Sequence, residues 1–181
     1  MLSHGGPTRH DSPVNSVRVE HLLKAHHRKD FDCGEPSLNR YIQQLAIQND
    51  ERNIGRTFVA VEDGSVTVIG YYALASGRVS FQHVPDVRKL PPNMPLPVIL
   101  LGRLAVDFKF RGLRLGESLL MHALWRCSQI NRDVAVNAVE VDAIDDVARA
   151  FYEHYGFVSL LDSPRHMYLP MKQIVDLGLS F

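Results

Sequence analysis

Apolar residues recur along the chain with two periods, near 3.6 and near 2, and the alternation between them predicts the order of elements. Leu38, Tyr41, Ile42, Leu45 and Ile47 predict a helix over Ser37–Asp50, with Ser37 as its N-cap. Leu115, Leu119, Leu120, Ala123, Leu124 and Cys127 mark one face of a longer helix over Gly112–Asn131. Val147, Ala148, Phe151 and Tyr152 mark a short one over Asp145–Tyr155, capped by Asp145-Asp146 and stopped by Gly156. Val17–Leu22 alternates weakly and predicts a first strand. Thr57–Val61 and Val66–Ala75 flank the turn Glu62-Asp63-Gly64 and predict a hairpin. Val98–Val106 is a nearly continuous apolar run, as expected of a buried central strand. Ala138–Ala143 predicts a second buried strand, and Phe157–Leu160 and His166–Met171 two closing ones. The proline-rich stretch Pro85–Pro97 predicts a loop. Together these give an α/β (α+β) chain with a mixed sheet and helices on its faces.

The 181 residues suffice for one compact domain. Residues 1–16 have no apolar period and are expected to form a flexible tail, followed by the domain over 17–172 and a short C-terminal tail over 173–181. The longest apolar run, Pro97–Val106, is interrupted by Gly102 and Arg103, so no membrane span is expected. The first residues lack the apolar core of a secretory signal, which points to a cytoplasmic protein. Two cysteines far apart imply neither a disulfide framework nor a zinc site, and no metal is expected. Cys33 is expected to pack in a loop rather than act as a nucleophile, and His26-His27 to lie on the surface. Lys and Arg balance Asp and Glu at 20 each, so overall charge does not argue for a nucleic-acid partner. Local phosphate contacts could come from Arg40, Arg52, Arg56, Arg78, Arg88, Lys89 and Arg103, the last of which interrupts an apolar strand and is expected to face an acceptor groove.

The chemistry concentrates where the strand Leu101–Asp107 runs into Arg111–Gly116 and the following helix. The first amides of a helix have no internal partners and sit at the positive end of its dipole, so they form an anion site suited to a pyrophosphate. Arg111 and Arg114 would add charge. Walker A and dinucleotide-binding glycine patterns are absent. Taken alone, the turn reads equally well as a loop without a ligand. Farther on, Glu140 and Asp142 share one side of a strand, where either could orient an amine or bond to the following loop.

The segment Ala148–Phe157, following the strand Val139–Ala143 and the Arg111–Gly116 turn, resembles the GNAT acetyltransferase superfamily. The usual turn signature there is Gln/Arg-x-x-Gly-x-Gly/Ala, and the usual ending resembles Phe-Tyr-x-x-x-Gly-Phe. Phe31–Gly34, Gly70–Leu74 and Leu101–Asp107 extend the resemblance to the acetyltransferase toxins of bacterial type II toxin–antitoxin modules, over about residues 17–172. The resemblance implies a splayed, mostly antiparallel sheet flanked by helices, with acetyl-CoA as cosubstrate. Leu104, Ala105 and Val106 would pair with pantetheine. Arg111, Gly112, Leu113, Arg114, Leu115 and Gly116 would hold the pyrophosphate, and Tyr152 would donate a proton to the departing thiolate. Tyr155 falls at a usual packing position. Arg114 departs from the family's usual glycine, so its backbone angles and guanidinium decide how the cradle works. The toxins acetylate the α-amine of aminoacyl-tRNA, are neutralised by ribbon-helix-helix antitoxins and are commonly homodimers. A GNAT acting on a small amine or protein N-terminus, or a non-catalytic acetyl-CoA-binding module, remain the alternatives.

Overall fold

The computed structural model describes residues 16–85 and 94–181. The tail reading of residues 1–15, and residues 86–93 with Arg88 and Lys89, lie outside the described residues. Seven strands form one sheet: β1 Val17–His21, β2 Arg56–Glu62, β3 Gly70–Val79, β4 Leu96–Val106, β5 Ala138–Asp142, β6 Val158–Ser159 and β7 His166–Pro170. Their order is β1-β2-β3-β4-β5-β7-β6. Every neighbouring pair is antiparallel except β4 with β5.

The parallel pair is short. Only Val98↔Ala138, Ile99↔Val139 and Leu100↔Glu140 are in register, although β4 runs on to Val106. Beyond Leu100 the two strands part, and Leu101–Val106 keeps β3 as its one partner. The register with β3 shifts between Ala73 and Leu74, which leaves Gly102 as the extra residue of β4.

One face of the sheet is covered by α3, Leu115–Asp133, and α4, Asp146–His154. The predicted apolar stripe of α3 buries Leu119, Leu120, Ala123, Leu124 and Cys127 against Phe58, Tyr72, Ile99, Val139 and Val141. The other face receives α1, Pro36–Arg40, a π-helical turn, Tyr41–Leu45, and α2, Ala46–Glu51. Tyr41 and Ile42 there pack against Val59, Val61, Tyr71 and Ala73.

Several boundaries differ from the sequence reading. The Ser37–Asp50 helix starts one residue earlier and is broken by the π turn. Its N-cap is Glu35, whose carboxylate accepts the Ser37 N–H at 3.2 Å and hydroxyl at 2.9 Å. The second hairpin strand begins at Gly70 rather than Val66, because Thr67 bridges to His27 instead of to β2. Leu96 and Pro97, assigned to the proline-rich loop, already belong to β4. The C-terminal stretch does not trail free. Helix α5, Met171–Asp176, buries Ile174, and the Phe181 ring meets those of His122 and Trp125. His26 is buried rather than on the surface, accepting the Leu23 N–H and pairing with Glu20.

Candidate active site

The turn after β4 is held by a buried carboxylate. Asp107 accepts the Lys109 N–H at 3.0 Å and the Asp32 N–H at 3.1 Å, and the Phe108 N–H donates to the Asp32 carbonyl at 2.9 Å. Asp32 in turn accepts from Gly34 N–H and Asn39 Nδ2, both at 2.8 Å, and these bonds hold its carboxyl below the usual range. The segment Phe31–Gly34 is therefore a brace for the turn. Cys33 belongs to this brace, buried with its Sγ 3.2 Å from Asn39 Oδ1, and burial pushes its thiol pKa up.

The turn reverses through two left-handed residues, Gly112 at φ 80° and Arg114 at φ 57°. Such turns cup successive amides into an anion-binding concavity. The helix begins at Leu115, so Gly112 to Arg114 are turn residues rather than helical ones. Arg114 is the left-handed N-cap of α3. This conformation explains why glycine is usual at that position.

Each guanidinium is engaged, Arg111 by a neutral carbonyl and Arg114 by a carboxylate. Arg111 Nη2 donates to the Cys33 carbonyl. Arg114 makes a bidentate pair with Glu117 in the first turn of α3, at 2.6 and 2.8 Å. The hydrogen bond from Arg114 holds the Glu117 carboxyl low, so each charge answers the other.

A cavity of about 530 Å³ opens over the turn. Val106, Arg111, Gly112, Arg114, Leu115 and Gly116 line it, joined by Phe151, His154 and Tyr155 from α4. Leu113 is exposed at the turn's tip, and Leu104 and Ala105 lie below on β4. Tyr155 thus faces the cavity rather than serving only as packing, and its position one helical turn from Phe151 was the available signal. Tyr152 is on the inner flank of α4, packed on Phe151 and Phe157 with ring centroids 5.4 and 5.3 Å away. Its phenol, protonated at neutral pH at its ordinary pKa of about 10, has that pKa pushed further up by burial. Arg103 stacks its guanidinium 4.0 Å over the Tyr41 ring, on the α1 face. Arg56, counted among the phosphate contacts, is held by Asp50 and Asn53. A larger cavity, about 770 Å³, lies at the opposite end of β4, lined by Phe58, Leu74, Ile99, Arg126 and Ile130.

A sheet that parts beside a left-handed turn at the head of a helix points to the class, and comparison with known proteins agrees. The chain belongs to the GNAT acetyltransferase family, whose acetyltransferase (GNAT) domain model matches residues 53–159. A tRNA-acetylating toxin of Mycobacterium tuberculosis is 45% identical over 143 residues, covering 78% of this chain and 84% of the relative. The structure of AtaT complexed with acetyl-methionyl-tRNAfMet superposes with a TM-score of 0.84 at 25% identity, over 91% of this chain and 100% of AtaT. An AtaT mutant bound to the C-terminus of the antitoxin AtaR shares the fold, with a TM-score of 0.79 at 24% identity over 91% and 99% of the two chains. No helix among the described residues is long and apolar enough to cross a membrane.

Proposed function

We propose that the protein is a toxin that transfers acetyl from acetyl-CoA to the α-amine of aminoacyl-tRNA and so blocks translation. The observation that carries this reading is the parting of β4 from β5 after Leu100↔Glu140, directly upstream of the Arg111–Gly116 turn. The residues present fit acetyl-CoA. An open strand edge over Leu104, Ala105 and Val106 offers backbone groups to the pantetheine amides, and the amides of Arg111–Gly116 offer donors to the pyrophosphate. Acetyl-CoA supplies the activated acyl group. The relative named a tRNA-acetylating toxin and the AtaT structure with acetyl-methionyl-tRNAfMet support aminoacyl-tRNA as the acceptor. An α-amine, with a pKa near 8 against about 10.4 for lysine, is also the easier nucleophile near neutrality.

Tyr152 is the proton donor in this reading. Its phenol, protonated at neutral pH, transfers a proton to the CoA sulfur as the C–S bond breaks. A ribbon-helix-helix antitoxin is the neutralising partner, a homodimer the assembly and the cytoplasm the location, since that is where charged tRNA is found. Residues 17–172 would be the catalytic domain.

The test is acetyl transfer to bulk charged tRNA, together with arrest of cell-free translation that requires acetyl-CoA. Tyr152→Phe should lower turnover by about 10²–10⁴-fold, the range for a lost general acid. Calorimetry should show acetyl-CoA affinity unchanged. Full turnover by the variant would remove Tyr152 from the chemistry. Transfer to simple amines without tRNA would replace tRNA as the acceptor.

A further inference from the structure

Acetyl transfer as derived above makes no use of the larger cavity, on the α3 face at the far end of β4 from the turn. It lies between the last two turns of α3 and the ends of β2, β3 and β4. Its volume of about 770 Å³ is that of a site for a small molecule, which spans roughly 300–1,000 Å³. The floor is apolar. Phe58, Leu74 and Ile99 form it, at 5, 6 and 7% exposed, and belong to the cluster that α3 covers farther along. Ile130, 38% exposed, is the wall on α3.

The charges around this floor are of one sign. His21, Arg56, Arg78 and Arg126 line the cavity, and no Asp or Glu is among its lining residues. Asp50 answers two of the four from outside, with Oδ1 2.9 Å from Arg56 Nη1 and Oδ2 3.3 Å from His21 Nε2. Arg78 and Arg126 have no carboxylate partner among the described residues. Arg78 is exposed at the mouth, where water can meet its charge, but Arg126 is half-buried. Its guanidinium lies 4.3 Å over the Phe58 ring, and its Nε is buried without a hydrogen-bond partner. The charge reaches His122, one turn earlier on α3, and adds to the burial that lowers that imidazole's pKa, as an unneutralised cation does. A half-buried guanidinium in an apolar wall is costly unless a counter-charge meets it.

We propose that this cavity is a second ligand site, one that takes a small amphipathic carboxylate. The apolar body lies on Phe58, Leu74 and Ile99, the carboxylate meets Arg126, and Arg78 adds charge at the mouth. RNA fits less well, because its binding surfaces offer a track of free cations and open aromatic faces. Here Arg56 is committed to Asp50, and the Phe58 face to Arg126. The site is separate from the one for acetyl-CoA. Leu115 at the start of α3 lines the cavity over the turn and Ile130 lines this one, about 22 Å along the helix at 1.5 Å per residue. Both ligands can therefore be bound at once, and the assignment does not depend on the acetyl-transfer reading.

The experiment is calorimetry on the full chain, with octanoate as the probe and octan-1-ol and octylamine as its uncharged and cationic counterparts. Octanoate should bind about tenfold more tightly than octan-1-ol, the difference that one charge-assisted hydrogen bond supplies, and octylamine should bind more weakly than either. Arg126→Met keeps an apolar stem and removes the charge. It should lose the tenfold preference while acetyl-CoA affinity stays at the wild-type value. Saturating acetyl-CoA, or bulk bacterial tRNA, should leave octanoate binding unchanged. Absence of octanoate binding at millimolar concentration, equal affinity for octanoate and octan-1-ol, or an Arg126→Met protein that keeps the preference would overturn the assignment. Displacement by acetyl-CoA would place the probe at the turn, and displacement by tRNA would give the cavity to RNA; either result also overturns it. If Arg126→Met fails to fold, Ile130→Asp on the half-exposed wall takes its place. That variant puts a like charge beside the carboxylate and should lose octanoate binding by more than tenfold, and unchanged binding would overturn the assignment.

Discussion

His122 is buried on α3 with its Nδ1 2.8 Å from the Tyr72 hydroxyl, and the imidazole accepts that proton only while neutral. Burial, with the Arg126 charge adding to it, pushes its pKa down to about 4. The unfolded chain takes up a proton near pH 6.5, well before the folded one, so stability is complete above that pH and falls as pH drops through 6.5 toward 4. The loss amounts to roughly 3 kcal/mol, about 2.5 pKa units at 1.36 kcal/mol per unit. Replacing His122 with Asn keeps an acceptor near the Nδ1 position and removes the titration. Urea unfolding at pH 7 and pH 4.5 should therefore show a smaller acid loss in His122→Asn than in wild type, by about 2 kcal/mol. An equal loss in both proteins would move the acid sensitivity to other groups.

At the scale of elements, the turn into α3 carries a strained residue. Holding Arg114 in the left-handed region costs about 1–2 kcal/mol, which its exposed pair with Glu117 does little to offset. Arg114→Gly should therefore raise stability by about 1 kcal/mol in urea unfolding. Its acetyl-CoA affinity should stay within about threefold of wild type, since the guanidinium is turned to Glu117 and the amide remains. A tenfold loss would make the guanidinium a phosphate contact after all. The cap of α4 was legible in sequence because a cap is local. Asp145 Oδ1 accepts the Ala148 N–H at 2.7 Å, three residues along the chain. The handedness of Arg114 was not legible from the arginine itself; the family's usual glycine was the one signal, and the path of β4 into α3 imposes the conformation.

At the scale of the whole molecule, the sheet is an unfinished surface. Half of the backbone groups in Gly102–Val106 point away from β3 into the opening beyond Leu100. Hydrogen exchange by mass spectrometry should therefore show this segment gaining protection when acetyl-CoA is added, more than β2 or the middle of α3, which are already paired. Equal changes across the sheet would mean general tightening rather than docking at the open edge.

What the amino-acid order determined by itself is what depends on neighbours a few residues away. The apolar stripe of α3, the strand run into Asp107, the turn and the Ala148–Phe157 segment were all readable, and with them the family. These features arise because burying one face demands a fixed spacing along the chain. Tertiary structure decided what depends on register between distant strands. It set the point where β4 and β5 part, the turning of Arg111 toward Cys33 and of Tyr155 toward the cavity, and the bond between Glu140 and His166 across 26 residues. Glu140 read as one of two acidic residues on a strand edge. Only the pairing of β5 with β7, in which Asp142 opposes His166, brought an imidazole within 2.5 Å of its carboxylate.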